Sequence, residues 1–254
     1  MKDFSIAIVA YNGETDVCKA VESIERCTSK MIQKTIYVID NSEEPNNLAQ
    51  LSEQYPDVEY VKTGKNLGFG GGHNVVLDKL DSKFHAIVNP DIILEMDAFT
   101  VIKEFMQDET IGMCVPKLCD EDGNLLAVYR RELTVFDMFV RMFLKRGFKK
   151  RQAYHTMQEM DYTKPFDVPF AQGSFLVIRT ELFKELKGFD EDYFLYVEDA
   201  DLCKRVNKVS RLRYCPEAVV IHKWERGSHK NKNLLKLHLQ SMFTYFRKWG
   251  WKLV

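Results

Sequence analysis

The chain has 254 residues, 45% of them hydrophobic, enough for one large α/β domain with a real core, which excludes a disordered polypeptide. Its 36 Lys and Arg against 37 Asp and Glu leave a net charge of −1, which excludes a general nucleic-acid binder because chain-wide attraction for phosphate is missing. Six cysteines, at 18, 27, 114, 119, 203 and 215, form no CxxC pair and no zinc-ligand rhythm, the usage of a reduced cytoplasmic protein.

In chain order, residues 4–10 read as a buried strand, too short and too soon interrupted by Tyr11-Asn12 for a secretion signal. Residues 15–26 carry Val17, Ala20, Val21 and Ile24 at helical spacing. Strands follow at 35–39, 58–62, 84–88 and 111–118, with helical segments at 47–55, 68–80 and 98–106 between them. The second half is less regular: helix 135–146, strand 174–179, helix 197–206, strands 212–214 and 219–222, and a final helix over 231–249. No run of eighteen apolar residues predicts a membrane span. The alternation predicts an α/β fold with a mainly parallel central sheet flanked by helices, and a ligand at the carboxyl edge of its strands. A change of texture near Glu225 separates a main domain, 1–225, from a C-terminal helical extension, 226–254.

The segment 188–205 says most about chemistry. Asp190, Glu191, Asp192, Glu198, Asp199 and Asp201 are interleaved there with Phe189, Tyr193, Phe194, Leu195 and Tyr196. Carboxylates among apolar groups cost free energy unless they meet a metal, a basic partner or a substrate hydroxyl. Asn89-Pro90-Asp91 ends a strand with a carboxylate, either an ordinary turn or a ligand for a divalent cation on a diphosphate. Asp40 either accepts the imide N–H of a pyrimidine or closes an Asx-turn, and Tyr11 either lies against that ring or packs at an edge. The glycine-rich run from Asn66 to Asn74 opens a helix and either faces an anion with its N–H groups or makes a tight helix entry. A dinucleotide fingerprint fails there, since His73 takes the place of the third glycine. His222 ends a strand as a metal ligand, a phosphate donor or a structural histidine. The run 141–151 carries Arg141, Lys145, Arg146, Lys149, Lys150 and Arg151 beside Met142, Phe143, Leu144 and Phe148. The tail sets Arg247, Lys248 and Lys252 among Phe243, Tyr245, Phe246, Trp249 and Trp251. Both are either solvated faces or membrane-surface contacts.

The ordered set Ala10-Tyr11-Asn12, Asp40-Asn41-Ser42, Asn66-Leu67-Gly68-Phe69 with Asn74, Asn89-Pro90-Asp91, Gly173-Ser174-Phe175 and Glu198-Asp199-Ala200-Asp201 resembles the family 2 glycosyltransferases of the GT-A fold. It is most similar to the rhamnosyltransferase-like members that build bacterial cell-surface polysaccharides, from about residue 4 to His222. The resemblance implies a nucleotide-sugar donor, dTDP- or UDP-linked, against Tyr11, Asn12, Asp40, Asn41, Asn66, Gly68, Asn74 and Asn89. It implies Mg²⁺ or Mn²⁺ at Asp91, the last carboxylate of the family's D-x-D, with His222 a further candidate ligand; Asn89 replaces the first Asp. Asp199 matches the general base of inverting members, and Glu198 and Asp201 are the acceptor candidates. The expected reaction moves L-rhamnose from dTDP-rhamnose to a growing polysaccharide or lipid-linked glycan at the cytoplasmic face of the membrane. A UDP-hexose or UDP-galactofuranose transferase, or a non-catalytic carbohydrate-binding domain, are the alternatives.

Overall fold

The computed structural model describes residues 1–144, 148–223 and 232–254. Lys145 and Arg146 of the basic run, and the domain boundary expected at 225/226, lie outside the described residues.

Strands β1 (Lys2–Ala10) and β2 (Lys34–Asp40) are buried over almost their whole length, as strands covered on both faces must be. Between them α1 (Glu14–Cys27) turns Val17, Ala20, Val21 and Ile24 onto the sheet. Helix α2 (Leu51–Gln54) is a single turn, and β3 (Val58–Lys62) is the half-exposed edge. The glycine-rich run forms α3 (Gly68–Asn74), which stops short of residue 80 because the chain tightens into a 3-10 turn at 77–79. Strands β4 (Ser82–Val88) and β5 (Ile92–Ile93) flank Asn89-Pro90-Asp91. Helix α4 (Ala98–Phe105) is capped by Asp97, which accepts the N–H of Thr100 at 3.0 Å.

After β6 (Ile111–Cys119) the chain leaves the sheet through β7 (Tyr129–Arg130), α5 (Val135–Phe143), α6 (Lys149–His155) and β8 (Phe170–Ala171). It returns as β9 (Phe175–Arg179), followed by α7 (Thr180–Glu185), α8 (Glu198–Val206), β10 (Arg211–His222) and α9 (Lys232–Trp249). The stretches 212–214 and 219–222 belong to one strand, irregular between Cys215 and Val219, rather than two.

The main sheet has the order β3-β2-β1-β4-β9-β6-β10-β5. β1, β2, β3 and β4 run parallel, as do β6 and β10, but β9 is antiparallel to both β4 and β6, and β5 to β10. The sheet is mainly parallel, as expected, with β9 the antiparallel strand at its centre. The excursion from β6 stays at the carboxyl edge of the sheet, so the returning strand enters from that edge and must run down it. Register places Ala10 beside Asp40, Ile8 beside Val88, and Val88 beside Phe175. The ends of β1, β2 and β4 and the start of β9 thus meet along one edge, above a core that includes Phe4, Phe84, Phe99 and Phe175. Among the described residues no helix is long and apolar enough to cross a membrane.

Candidate active site

At the end of β1, Tyr11 is 53% exposed, and Asn12 is in the left-handed region with its N–H donating to Ser42 Oγ at 3.0 Å. Asp40, at the end of β2, is fully buried. One of its oxygens accepts the Ser42 N–H (2.9 Å) and the other accepts from Asn46 (2.9 Å), Tyr60 (2.8 Å) and Lys62 (2.8 Å). Burial raises its pKa, but Lys62, Asn46, Tyr60 and the Ser42 N–H together hold the carboxyl well below its usual range. Asp40 closes an Asx-turn through the Ser42 N–H, and both its oxygens have partners within the chain.

The glycine-rich run faces a protein segment. Asn66 Oδ1 accepts the Gly68 N–H (2.9 Å), Asn41 donates to the Gly68 carbonyl (2.8 Å), and Phe69 N–H donates to the Phe194 carbonyl (3.2 Å). Gly68 has φ +73°, and a Cβ there would lie 2.0 Å from the Phe194 carbonyl oxygen. Asn74 donates to the Phe189 carbonyl (2.8 Å) and Glu191 (3.0 Å) and accepts the Phe189 N–H (2.9 Å). Gly68 and Asn74, expected against the donor, thus lie against residues 189–194, and Asn66, also expected there, holds the Gly68 N–H. His73 is fully buried between Phe69 and Phe189, its pKa pushed far down by burial, so it packs where a dinucleotide motif needs glycine.

At the end of β4, the Asn89 N–H donates to the Ser174 carbonyl at 2.9 Å, tying that turn to the start of β9. Asp91 Oδ2 lies 3.1 Å from His222 Nε2, while Asp91 Oδ1 is buried without a partner. The pairing of Ile92 with His222 between β5 and β10 brings the two together across 131 residues of sequence.

The six carboxylates of 188–205 separate by role. Asp190 pairs with Lys248 (2.5 Å), Glu191 with Asn74, and Asp192 is exposed. Asp201 is fully buried and accepts from Arg205 (2.7 Å), Lys248 (2.7 Å) and Trp249 Nε1 (2.8 Å). Those partners engage both oxygens of Asp201, expected at the acceptor, and clamp α9 to α8. Tyr196 and Val197, both at positive φ (72° and 71°), turn the chain sharply into α8 and set Glu198 and Asp199 in its first turn. Asp199 Oδ2 accepts the Gly173 N–H (2.8 Å) and Oδ1 the Ala200 N–H (2.8 Å). Glu198 is buried with Oε2 unpartnered.

Two residues that sequence patterns did not single out for this site are Arg130 and Arg141, whose charges act on Asp199. Arg130 is seen only through the pairing of β7 with β8, and Arg141 was read merely as the start of a basic run. In that run Arg151 is held by Asp137 (2.6 and 2.9 Å). In the tail Lys248 and Lys252 sit in ion pairs, and Tyr245 and Phe246 are buried, whereas Phe243 and Trp251 remain exposed.

The Glu198–Asp199 pair, the Asp91–His222 pair and the ends of β1, β2 and β4 thus gather toward one edge of the sheet. The structure is similar over 97% of its length to the crystal structure of GalNAc-T7 with UDP, GalNAc and Mn²⁺, at TM-score 0.70 and 18% identity, and spans 48% of that chain. A family model described as glycosyl transferase family 2 matches residues 5–187, more than half of the chain, and the protein belongs to that family. The rhamnosyltransferase WbbL of Escherichia coli (strain K12) is 27% identical over 96% of this chain and 92% of its own. The N-acetylglucosaminyl-diphospho-decaprenol L-rhamnosyltransferase of Mycobacterium tuberculosis (strain ATCC 25618 / H37Rv) is 24% identical over 97% of this chain and 85% of its own.

Proposed function

We propose that this glycosyltransferase acts with inversion and with a divalent metal, moving L-rhamnose from dTDP-rhamnose to a lipid-linked glycan at the cytoplasmic face of the membrane. The observation that carries it is the Asp199 carboxylate, held by two backbone N–H groups beside the buried Glu198, near the strand edge that bears Asp91 and His222. The acceptor hydroxyl attacks the anomeric carbon on the side opposite the diphosphate while its proton passes to Asp199. The bond from that carbon to the diphosphate oxygen breaks, and the configuration inverts.

The orphaned Asp91 Oδ1 and the adjacent His222 imidazole fit Mg²⁺ or Mn²⁺, with diphosphate and water oxygens completing the shell. When bound there, the ion supplies positive charge to the departing diphosphate. Tyr11 offers its exposed ring to the base, and a contact from Asp40 requires one of its present partners to give way.

A panel of nucleotide sugars, scored for slow donor hydrolysis, tests the proposal. The dTDP-rhamnose should turn over fastest, lose its rate in EDTA, and slow about a hundredfold with Asp199→Asn. Faster turnover of a UDP-hexose would reassign the donor. Full activity in EDTA would remove the metal, and wild-type turnover by folded Asp199→Asn would remove the base.

A further inference from the structure

The ends of β1, β2 and β3 stand in one rank: Ala10 pairs with Asp40, and Asp40 with Lys62. Ser42 ties the rank together, its Oγ accepting the Asn12 N–H (3.0 Å) and its carbonyl accepting from Lys62 Nζ (2.6 Å). The Tyr11–Asn12 turn and the Lys62 ammonium are therefore fixed to the same residue. Asp40 is fully buried and takes four donors, about all that one carboxylate can accept. It has no face left for a base.

Lys62 is in the opposite state. Its side chain is 38% exposed, and two of its three ammonium hydrogens go to Asp40 Oδ2 (2.8 Å) and the Ser42 carbonyl. The third has no partner among the described residues. Those two acceptors hold the ammonium at the rim, so little side-chain entropy remains to be lost when it meets a ligand. The sheet order β3-β2-β1-β4 supplies a direction. Asp91 follows β4, three strand spacings or about 14 Å from β3. A nucleotide with its diphosphate at Asp91 and its ring against Tyr11 on β1 therefore points that ring toward β2 and β3. In a pyrimidine C4 lies opposite the glycosidic nitrogen, so the C4 carbonyl reaches farthest that way. Lys62 offers that oxygen a hydrogen.

We propose that Lys62 reads the base of the donor nucleotide by donating to the C4 carbonyl of a thymine or uracil ring packed on Tyr11, with Asp40 behind it as the positioning residue. This rests on the donor reading above and names the group that selects its base. The contact has a defined polarity: the protein recognises an acceptor on the ring, the carbonyl, and not the imide N–H. Cytosine, with an amino group on C4, sets donor against donor and is refused.

Calorimetry on the full chain in Mg²⁺ buffer compares dTDP with its 4-thio analogue, which keeps the imide N–H but replaces the C4 oxygen by sulfur, a weak acceptor. The wild type should bind dTDP about tenfold more tightly, the scale of one charge-assisted hydrogen bond. Lys62→Met should bring that ratio to one, and Lys62→Arg, which keeps a donor, should retain most of it. Asp40→Asn, which loosens the ammonium, should shrink the ratio, whereas a merely structural Asp40 would weaken both ligands equally. The wild-type comparison needs no variant, so it decides the matter even if Lys62→Met fails to fold. Equal wild-type affinities for dTDP and the 4-thio analogue would overturn the proposal. So would a preference that survives in folded Lys62→Met, or a 5-methylcytosine counterpart of dTDP that binds the wild type as tightly as dTDP. ADP binding as tightly as dTDP would remove the pyrimidine donor itself, and this contact with it. A wild type that prefers dTDP to ADP but not to the 4-thio analogue would lose only the assignment of Lys62.

Discussion

Two adjacent carboxyl groups at the start of α8 cannot both ionise at low cost in a dry pocket. Burial pushes Glu198 far above the usual carboxyl range, and the neighbouring Asp199 charge adds to the rise. Burial raises Asp199 too, but the N–H groups of Gly173 and Ala200, and the charges of Arg130 and Arg141, pull it back. The proton therefore resides on Glu198 and the charge on Asp199. Since the base must be ionised, the acid limb of kcat/KM should lie above the range of a free carboxyl. Arg141→Gln should move that limb to higher pH, because a cation favouring the carboxylate is gone. Glu198→Gln should leave it in place; a limb that drops would mean Glu198 had carried the charge. For stability the sign is opposite to that of a salt-bridged acid. The folded pair holds its protons more tightly than the unfolded chain, so its contribution worsens as pH rises from the free carboxyl value through the raised one. Asp40, with its depressed pKa, contributes stability above the free value and loses it as pH falls.

The helix α9 is part of the site's framework. Trp249 and Lys248 bind Asp201, Ser241 donates to the Leu195 carbonyl (2.8 Å), and His238 stacks on Tyr196 (4.7 Å). These contacts hold the sharp turn that presents Glu198 and Asp199. Asp201→Asn should therefore destabilise the fold by about 3 kcal/mol, the low end for a broken buried pair because Lys248 is one-third exposed and keeps Asp190. Hydrogen exchange should show α9 losing protection first, with the donor KM unchanged. Normal stability with a raised acceptor KM would instead restore Asp201 to the acceptor. The Asp201–Arg205 pair was legible in principle, being four residues apart on a helix, but Trp249 and Lys248 come from 48 and 47 residues away in sequence and left no local trace.

At the scale of the molecule, α9 turns Leu235, Leu239 and Phe243 outward at four-residue spacing, each at least 45% exposed. Trp251, Leu253 and Val254 extend the apolar surface, and Phe139, Leu144 and Phe148 are exposed on the α5–α6 side. The tail reaches α5 directly, through N–H groups of Val135 and Phe136 that donate to the carbonyls of Lys252 and Leu253. If this face meets the membrane, insertion of apolar side chains outweighs tail cations, since Lys248 and Lys252 are held in ion pairs. The wild type should float with anionic liposomes at low salt, and a Leu239→Glu/Phe243→Glu variant should stay in the soluble fraction. A wild type that remains soluble at low salt would indicate an acceptor met in solution.

The strands and the positions of the polar residues at their ends and of the two acids opening α8 were legible because each is written locally: apolar runs of buried-strand length, a carboxylate after Asn-Pro, and acids set among aromatics. The reversal of β9 was not, because strand direction depends on where the 55-residue excursion over 120–174 leaves the chain, not on the strand's own residues. The partners of Asn74 and Asp201, and Tyr60 and Lys62 at Asp40, come from segments distant in sequence and left no local trace. Arg130 and Arg141 gained meaning only when β7–β8 pairing and α5 packing gathered their charges near Asp199. Residue type and spacing determine which chemistry a chain can carry, while tertiary contacts determine which of its polar groups remain free to carry it.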